Sequence, residues 1–435
     1  MITIDQLVPQ DHLVRKLEAA IDFSFIYPLV EPLYSILGRP SIDPVVLIKM
    51  TFVQYVFGIR SMRQTIKEIE TNMAYRWFLG FGFHTEVPHF STFGKNYVRR
   101  FQDTDIFEQI FYRILKEIAD KGLLSSDHVF IDSTHVKASA NKRKIEKKMV
   151  RKETRAYEAK LQEELNQDRV NHGKKPFPPE KFEKEEIKES TTDPESGYYV
   201  KDERTKQFAY SFHAAADRYG FILGTIVTPG NVHDSHMLQP LIEKIMEKVK
   251  NPLAVSADAA YKTPAITKFL FEQDIQPALP YTRPKTKEGF LRKHEYVYDE
   301  YYNCYLCPEG QILNYSTTTK DGKRQYKSKP TQCATCPLLT QCTNSKDHRK
   351  VIERHIWAHY VEETDHLRHQ NHIKQIYTKR KETIECVFAD AKEKHGMRWT
   401  ILRGIKKLSM QAMLTFAAMN LKKLANWTWQ APEMA

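Results

Sequence analysis

The first 300 residues of this chain of 435 contain no cysteine, and the six that it has, Cys304, Cys307, Cys333, Cys336, Cys342 and Cys386, all follow. Six localised cysteines do not make a disulfide framework for a chain of this size, and they suit a reducing compartment. Long apolar runs are also missing. The longest apolar pieces meet Lys, Arg or Asp well short of the roughly 18–20 residues that span a bilayer, so no membrane partner is expected. Ile2 to Arg15 mix acids and bases instead of placing an apolar segment behind a basic one, and export is not expected; the expected location is cytoplasmic. Acidic charge is in deficit. Asp and Glu number 54 against 66 Lys and Arg, a net charge of +12, which favours a polyanion such as nucleic acid over an acidic metabolite.

The chain exceeds the about 250 residues at which single cores stop growing, and its patterning changes several times. Residues 1–122 read as a helical region for DNA binding or dimerisation. Asp43 caps an apolar helix from Pro44, Ser61 to Gln64 has the capping-box spacing, Ser91 or Thr92 opens a further helix, and Ile106 to Ile118 carry a helical stripe. Residues 123–280 read as the first part of an α/β core. Val129-Phe130-Ile131 forms a strand, and Phe208 to Ala216 with Phe221 to Thr228 form a hairpin around Asp217-Arg-Tyr-Gly220. A helix follows with Asp234 or Ser235 as its cap, then the strand Ala254 to Ala257, a helix from Pro264 and a strand from Ile275. Three strands, a helix, a strand, a helix and a strand is the order of a ribonuclease-H-like core. Within it, 140–206 is a charged insertion with few large apolar residues, expected as a solvated helical arm and loop. Residues 281–354 form a cysteine-bearing insertion. Residues 355–435 complete the core with helices, ending in an apolar stripe from Ile405 to Leu424 expected to pack on the sheet or a partner helix.

Two carboxylates stand at the ends of the buried strands. Asp132 follows Ile131 and Asp258 follows Ala257, and on neighbouring strands they would offer two hard oxygen ligands to one Mg²⁺. Each has a structural alternative: Asp132 can bond the amide of Ser133 or Thr134, and Asp258 can cap the next helix. A third carboxylate is needed to anchor two ions. Glu385 is the first choice, because Ile384, Phe388 and Ala391 give its helix a packing face while Glu385 and Lys392 share the other edge; Glu382 and Glu363 come next. Lys137 and Lys262 lie just beyond the two aspartates. With Arg380, Lys392 and Arg398 they are the candidate phosphate contacts, and solvated cations otherwise. His135 and His213 could approach the same cleft.

Cys304-x2-Cys307 and Cys333-x2-Cys336 form two knuckles that could present four thiolates to a structural Zn²⁺, with Cys342 able to replace one of them. The ion would organise a subdomain that looks too polar to fold well alone. Reduced, unmetallated cysteines are the rival reading. Cys386 is expected as a small buried residue.

Taken together, Pro88-His-Phe-Ser-Thr-Phe93, Phe130-Ile-Asp132-Ser-Thr-His-Val-Lys137, Thr228-Pro-Gly-Asn-Val-His-Asp234-Ser235, Ala257-Asp258-Ala-Ala-Tyr261 and the block holding Arg380, Glu385, Phe388, Lys392 and Arg398 resemble an insertion-sequence transposase of the DDE superfamily. The likeness is to the IS1182 group within the broader IS4/IS5-like transposases, over essentially the whole chain. The family's tyrosine-arginine-glutamate-lysine signature falls on Tyr377, Arg380, Glu385 and Lys392, with the arginine-to-glutamate interval one residue longer than usual. This resemblance implies that Asp132, Asp258 and Glu385 bind two Mg²⁺ or Mn²⁺ ions. It also implies that the enzyme, as a homodimer on nucleoid DNA, cuts double-stranded DNA at terminal inverted repeats and joins the 3′-hydroxyl ends to target DNA. A metal-dependent nuclease without strand transfer and a domesticated, inactive DNA-binding protein are the alternatives.

Overall fold

The computed structural model describes residues 2–35, 41–151, 157–178, 184–203 and 205–430. Positions 36–40 of the helical region and 152–156, 179–183 and 204 of the charged insertion lie outside the described residues. The chain forms two compact units, one from residues 1–149, 186–257 and 375–435, the other from 150–185 and 258–374.

The first unit begins with short helices whose starts are written in the sequence. Asp43 accepts the amides of Val45 and Val46 ahead of the helix Pro44–Val56, and Ser61 accepts the Gln64 amide ahead of Met62–Thr71. Ser91 is the first residue of its helix, and the cap position falls to Phe90, which makes no side-chain bond. The helix Ile106–Asp120 buries the expected stripe from Ile106 to Ile118.

Its sheet is built on β1 (His128–Lys137). The segments β2 (Ile145–Arg151) and β3 (Lys184–Ser190) pair with each other as a two-stranded ribbon, and β4 (Gly197–Val200) joins the main sheet. The insertion expected as arm and loop therefore contributes three strands as well as the helix Glu158–Asn171. Backbone pairing is indifferent to the charges on either face, so alternating Lys and Glu hid the ribbon. β5 (Lys206–Ala216) runs antiparallel to β1, with β4 on its first residues and β6 (Ile222–Pro229) along the rest of its outer edge. β7 (Ala254–Ser256) lies parallel on the other side of β1. Val129, Phe130 and Ile131 are fully buried between the faces, each contributing about 1.5–3 kcal/mol.

β7 leaves β1 at the pair Phe130↔Ser256, whereas β5 stays paired to Lys137. Asp132 consequently sits in the middle of β1 and not at its end, on a flank that opens where β7 stops. The helix Ile405–Thr428 buries Leu408, Leu414, Phe416, Leu421 and Leu424 and packs on β6 and on the helices Leu13–Ala20, Pro44–Val56 and Ile106–Asp120.

The second unit holds β8 (Gln276–Ala278), the helices Pro264–Glu272 and Ala358–Leu367, and a five-stranded antiparallel sheet. That sheet comprises β9 (Val297–Asp299), β10 (Cys304–Leu306), β11 (Ile312–Thr318), β12 (Lys323–Lys327) and β13 (Val351–His355), ordered β13-β12-β11-β10-β9. The expectation of a region too polar to fold alone is corrected by its core of Tyr296, Tyr305, Leu313, Tyr326 and Ile352. Tyrosines bury their rings while the hydroxyls find partners: Tyr326 and Tyr298 both donate to Asn303 Oδ1, at 2.7 and 3.0 Å. Asp168 clamps the helix Glu158–Asn171 to this sheet, accepting from Arg324 Nη2 at 2.6 Å and Thr318 Oγ1 at 2.7 Å.

Candidate active site

Arg380 stands in the turn before the helix Ile384–Lys394 and reaches two of the predicted acids at once. Its Nη2 donates to Asp132 Oδ2 at 2.7 Å and its Nη1 to Glu385 Oε1 at 2.7 Å. The guanidinium side chain is 11% exposed, Asp132 20% and Glu385 44%. The planar fork lets one cation satisfy two carboxylates that would otherwise repel. Asp132 also accepts the Ser133 amide through Oδ1 at 2.8 Å, which was its structural alternative. Glu385 lies in the first turn of its helix, where the dipole favours a carboxylate, while Ile384, Phe388 and Ala391 are buried as the spacing required. Cys386 is exposed, with Sγ 3.4 Å from Lys381 O, and not the small buried residue expected: the helix turns its Val387–Phe388 side to the core instead.

The far end of β1 is extended by the segment Arg398–Thr400. Lys137 N–H donates to Arg398 O at 3.3 Å, and Thr400 N–H donates back to Lys137 O at 3.0 Å. Lys392 and Arg398 are brought beside this strand. Burial, then the nearby Arg398 guanidinium, pushes the Lys392 ammonium below the usual lysine range, and Asp132 opposes the shift. Arg398 pairs with Glu393 at the surface, and Lys137 is exposed.

On β5, His213 is fully buried. Its Nε2 lies 2.9 Å from Thr228 Oγ1, and its Nδ1 faces Asp234 Oδ1 at 3.7 Å. Burial holds its pKa down to about 4 against the pull of Asp234. His135 stacks on Tyr199 with ring centroids 3.6 Å apart. The helix-cap reading of Asp234 is corrected: His233 is the cap, accepting the Ser235 amide through Nδ1, which frees Asp234 to face His213. Gly230 in the same block has a steric reason, since a Cβ there would lie 2.7 Å from Ala209 O. Sequence reasoning missed the Asp234–His213 and His135–Tyr199 pairings because they join residues on different elements, a short helix with a strand and two separate strands. Strand alternation alone offered one signal, placing Ser133 opposite His213 and His135 opposite Ser211.

Asp258 and Lys262 belong to the second unit. Asp258 accepts the Ala260 amide at 2.9 Å and so caps a short turn Ala259–Tyr261; the next helix is capped by Thr263. The Lys262 side chain is buried and ion-paired with Asp365. Among the cysteines, Cys342 Sγ lies 3.1 Å from Tyr296 OH, Cys333 Sγ donates to Ser328 Oγ at 3.2 Å, and Cys307 Sγ accepts the Gln311 amide at 3.3 Å. Cys304 is buried in β10. Burial raises the Cys342 thiol, and the neighbouring Cys333 and Cys307 reinforce the shift. Among the described residues, no three His, Cys, Asp or Glu side chains stand close enough to hold a metal ion, and no helix is long and apolar enough to cross a membrane.

Two stretches of the chain match known families, and Asp132 and Asp258 lie outside both. Residues 306–425 match the family described as Transposase DDE domain, a stretch that contains Arg380, Glu385 and Lys392, and residues 2–99 match Transposase domain (DUF772). No curated protein matches the chain. No solved structure does either. The chain carries a DDE-type transposase domain and a transposase-associated N-terminal domain, consistent with the IS1182 group of the IS4/IS5-like transposases and with an activity in DNA cleavage or transposition.

Proposed function

We propose that this transposase cleaves DNA at the inverted-repeat ends of its own element and joins the 3′-hydroxyl ends to target DNA. The observation that carries the reading is the meeting of Asp132 and Glu385 on one guanidinium, although Arg380 lies 248 residues from Asp132. Three antiparallel strands followed by one parallel to the first support a ribonuclease-H-like core. Asp258 is proposed as the third acid because it follows β7, the parallel neighbour of β1.

The hard carboxylate oxygens of Asp132 and Glu385 fit divalent ions of the Mg²⁺ or Mn²⁺ type, and their sharing of the Arg380 guanidinium supports a site that draws positive charge. Two bound ions would activate the attacking oxygen and stabilise the departing 3′-oxygen. The chain's own residues do the rest. Arg380 is the counter-ion of the acids in the free protein and turns to a strand phosphate when DNA and cations arrive. Lys137, Lys392 and Arg398 line the strand beside Asp132 and hold flanking phosphates, whereas Lys262 is engaged by Asp365 within the second unit. A homodimer would bridge two ends. For the second unit a structural Zn²⁺ would draw on Cys304, Cys307, Cys333 and Cys336, with Cys342 able to replace one of them, and would require these thiols to close up, since among the described residues no three of them stand close enough to hold an ion.

The test is incubation of the full chain with duplexes carrying the repeats that flank its coding DNA, in Mg²⁺ or Mn²⁺. Strand transfer is expected, and Asp132→Asn should abolish it while leaving DNA retardation intact. Nicking without joining would show a nuclease, and retardation with neither would show an inactive binder.

A further inference from the structure

The second unit holds an open cavity of about 1240 Å³ to which no role has been given so far. The volume exceeds the roughly 300–1,000 Å³ of ordinary small-ligand sites, which points to a segment of polymer rather than one metabolite. Two of its acids are already neutralised, Glu362 by Arg354 and Asp365 by Lys262. Arg283, Lys285 and Lys293 also line it, and among the described residues their side chains make no hydrogen bond or ion pair. With Glu288 and Glu300 the only other acids in the lining, unpaired positive charge prevails and the occupant should be anionic.

Aromatic rings are interleaved with these cations. Tyr281 is 46% exposed and has the Arg368 guanidinium 4.2 Å from its ring centroid, and Tyr298 is backed by Arg354 at 4.1 Å. Glu300 lines the cavity and is followed in the chain by Tyr301 and Tyr302, exposed by 89% and 74% and packed edge to face on each other with centroids 4.9 Å apart. Large rings exposed beside a cationic cavity keep a face open to a further stacking partner. Cations that track phosphates and aromatics that stack on bases are together the means of holding single-stranded nucleic acid. A duplex presents its bases only at groove edges and offers these rings no face.

We propose that this cavity binds an unpaired DNA strand, its bases stacking on Tyr281 and on the Tyr301–Tyr302 pair and its phosphates resting on Arg283, Lys285 and Lys293. The proposal rests on the reading of the chain as a DNA-acting enzyme, but not on its cutting chemistry. The experiment is fluorescence anisotropy of the full chain with a labelled oligo-dT strand and a duplex of equal length, in EDTA. Tyr281→Ala should weaken strand binding by roughly 5- to 150-fold and leave duplex binding unchanged, while Tyr281→Phe, which keeps the ring, should restore it. The Arg283→Ala/Lys285→Ala pair should reduce the salt slope by about 0.7 for each phosphate left without its cation. Equal strand binding by wild type and a folded Tyr281→Ala protein would overturn the proposal, as would free dTMP competing as well as the strand. If end cleavage is never seen but Tyr281-dependent strand binding persists, the cleavage reading fails and this one stands.

Discussion

Arg380→Ala separates the two roles given to this side chain. In the free protein it removes the cation from Asp132, which is mostly buried, and from Glu385, which is nearly half exposed. Losing a hydrogen bond to a buried charged group costs about 1.5–3 kcal/mol, whereas the exposed partner, screened by water, adds about 0.2–1 kcal/mol. The variant should therefore be about 2–4 kcal/mol less stable in EDTA. In Mn²⁺ the order of benefit reverses, because wild type must release Arg380 before the acids can take an ion and the variant need not. At 100 times its dissociation constant a bound ion contributes about 2.7 kcal/mol, so the variant should regain most of its loss and wild type should gain clearly less. Urea unfolding followed by tryptophan fluorescence reads both quantities. Four of the five tryptophans, Trp77, Trp399, Trp427 and Trp429, lie in the unit that holds Arg380. Equal stability of the two proteins in EDTA, or equal gains in Mn²⁺, would refute the argument.

Three further outcomes follow from the packing. Gly58→Ala should destabilise the first unit by about 1–3 kcal/mol, since Gly58 has φ +66° and a Cβ would stand 2.4 Å from Lys394 O at the end of the Glu385 helix; chemical denaturation would show it, and an unchanged midpoint would discount that steric clash. Asp168→Ala should cost about 3 kcal/mol by stranding Arg324, with Asp168→Asn losing less, as read by thermal unfolding. His213 and His395 are buried and held down to about 4 mainly by burial, against about 6.5 when unfolded. The unfolded chain thus takes up protons first as pH falls, so the stability present above pH ~6.5 is lost between there and pH ~4, by up to about 3 kcal/mol per histidine. His395→Asn should flatten that decline in urea midpoints, and an unaltered slope would show that other groups cause it.

Local signals carried much of this architecture. The β5–β6 hairpin is set by its turn, where Asp217 accepts the amides of Tyr219 and Phe221, and Glu385 is legible through the packing face of its own helix. The mid-strand position of Asp132 was hidden because it depends on where β7 departs, a property of another segment. The tyrosine core of the second unit was hidden because a tyrosine that buries its ring reads as half polar in a sequence. Arg380 was legible as a cation near the acids, but its two-handed grip depends on a turn geometry that spacing does not encode.

The helix Ile405–Thr428 has a consequence for how the protein is made. It packs on β6 and on three helices that were translated far earlier, so Leu414, Phe416 and Leu421 arrive after all of those partners. At about 5–20 residues per second the ribosome needs roughly 20–90 s before they emerge, and until then the earlier helices and β6 lack their common partner. A message broken before this point yields a chain without a finished core, so gene copies damaged near the 3′ end should be silent at the level of folding, whatever their acids.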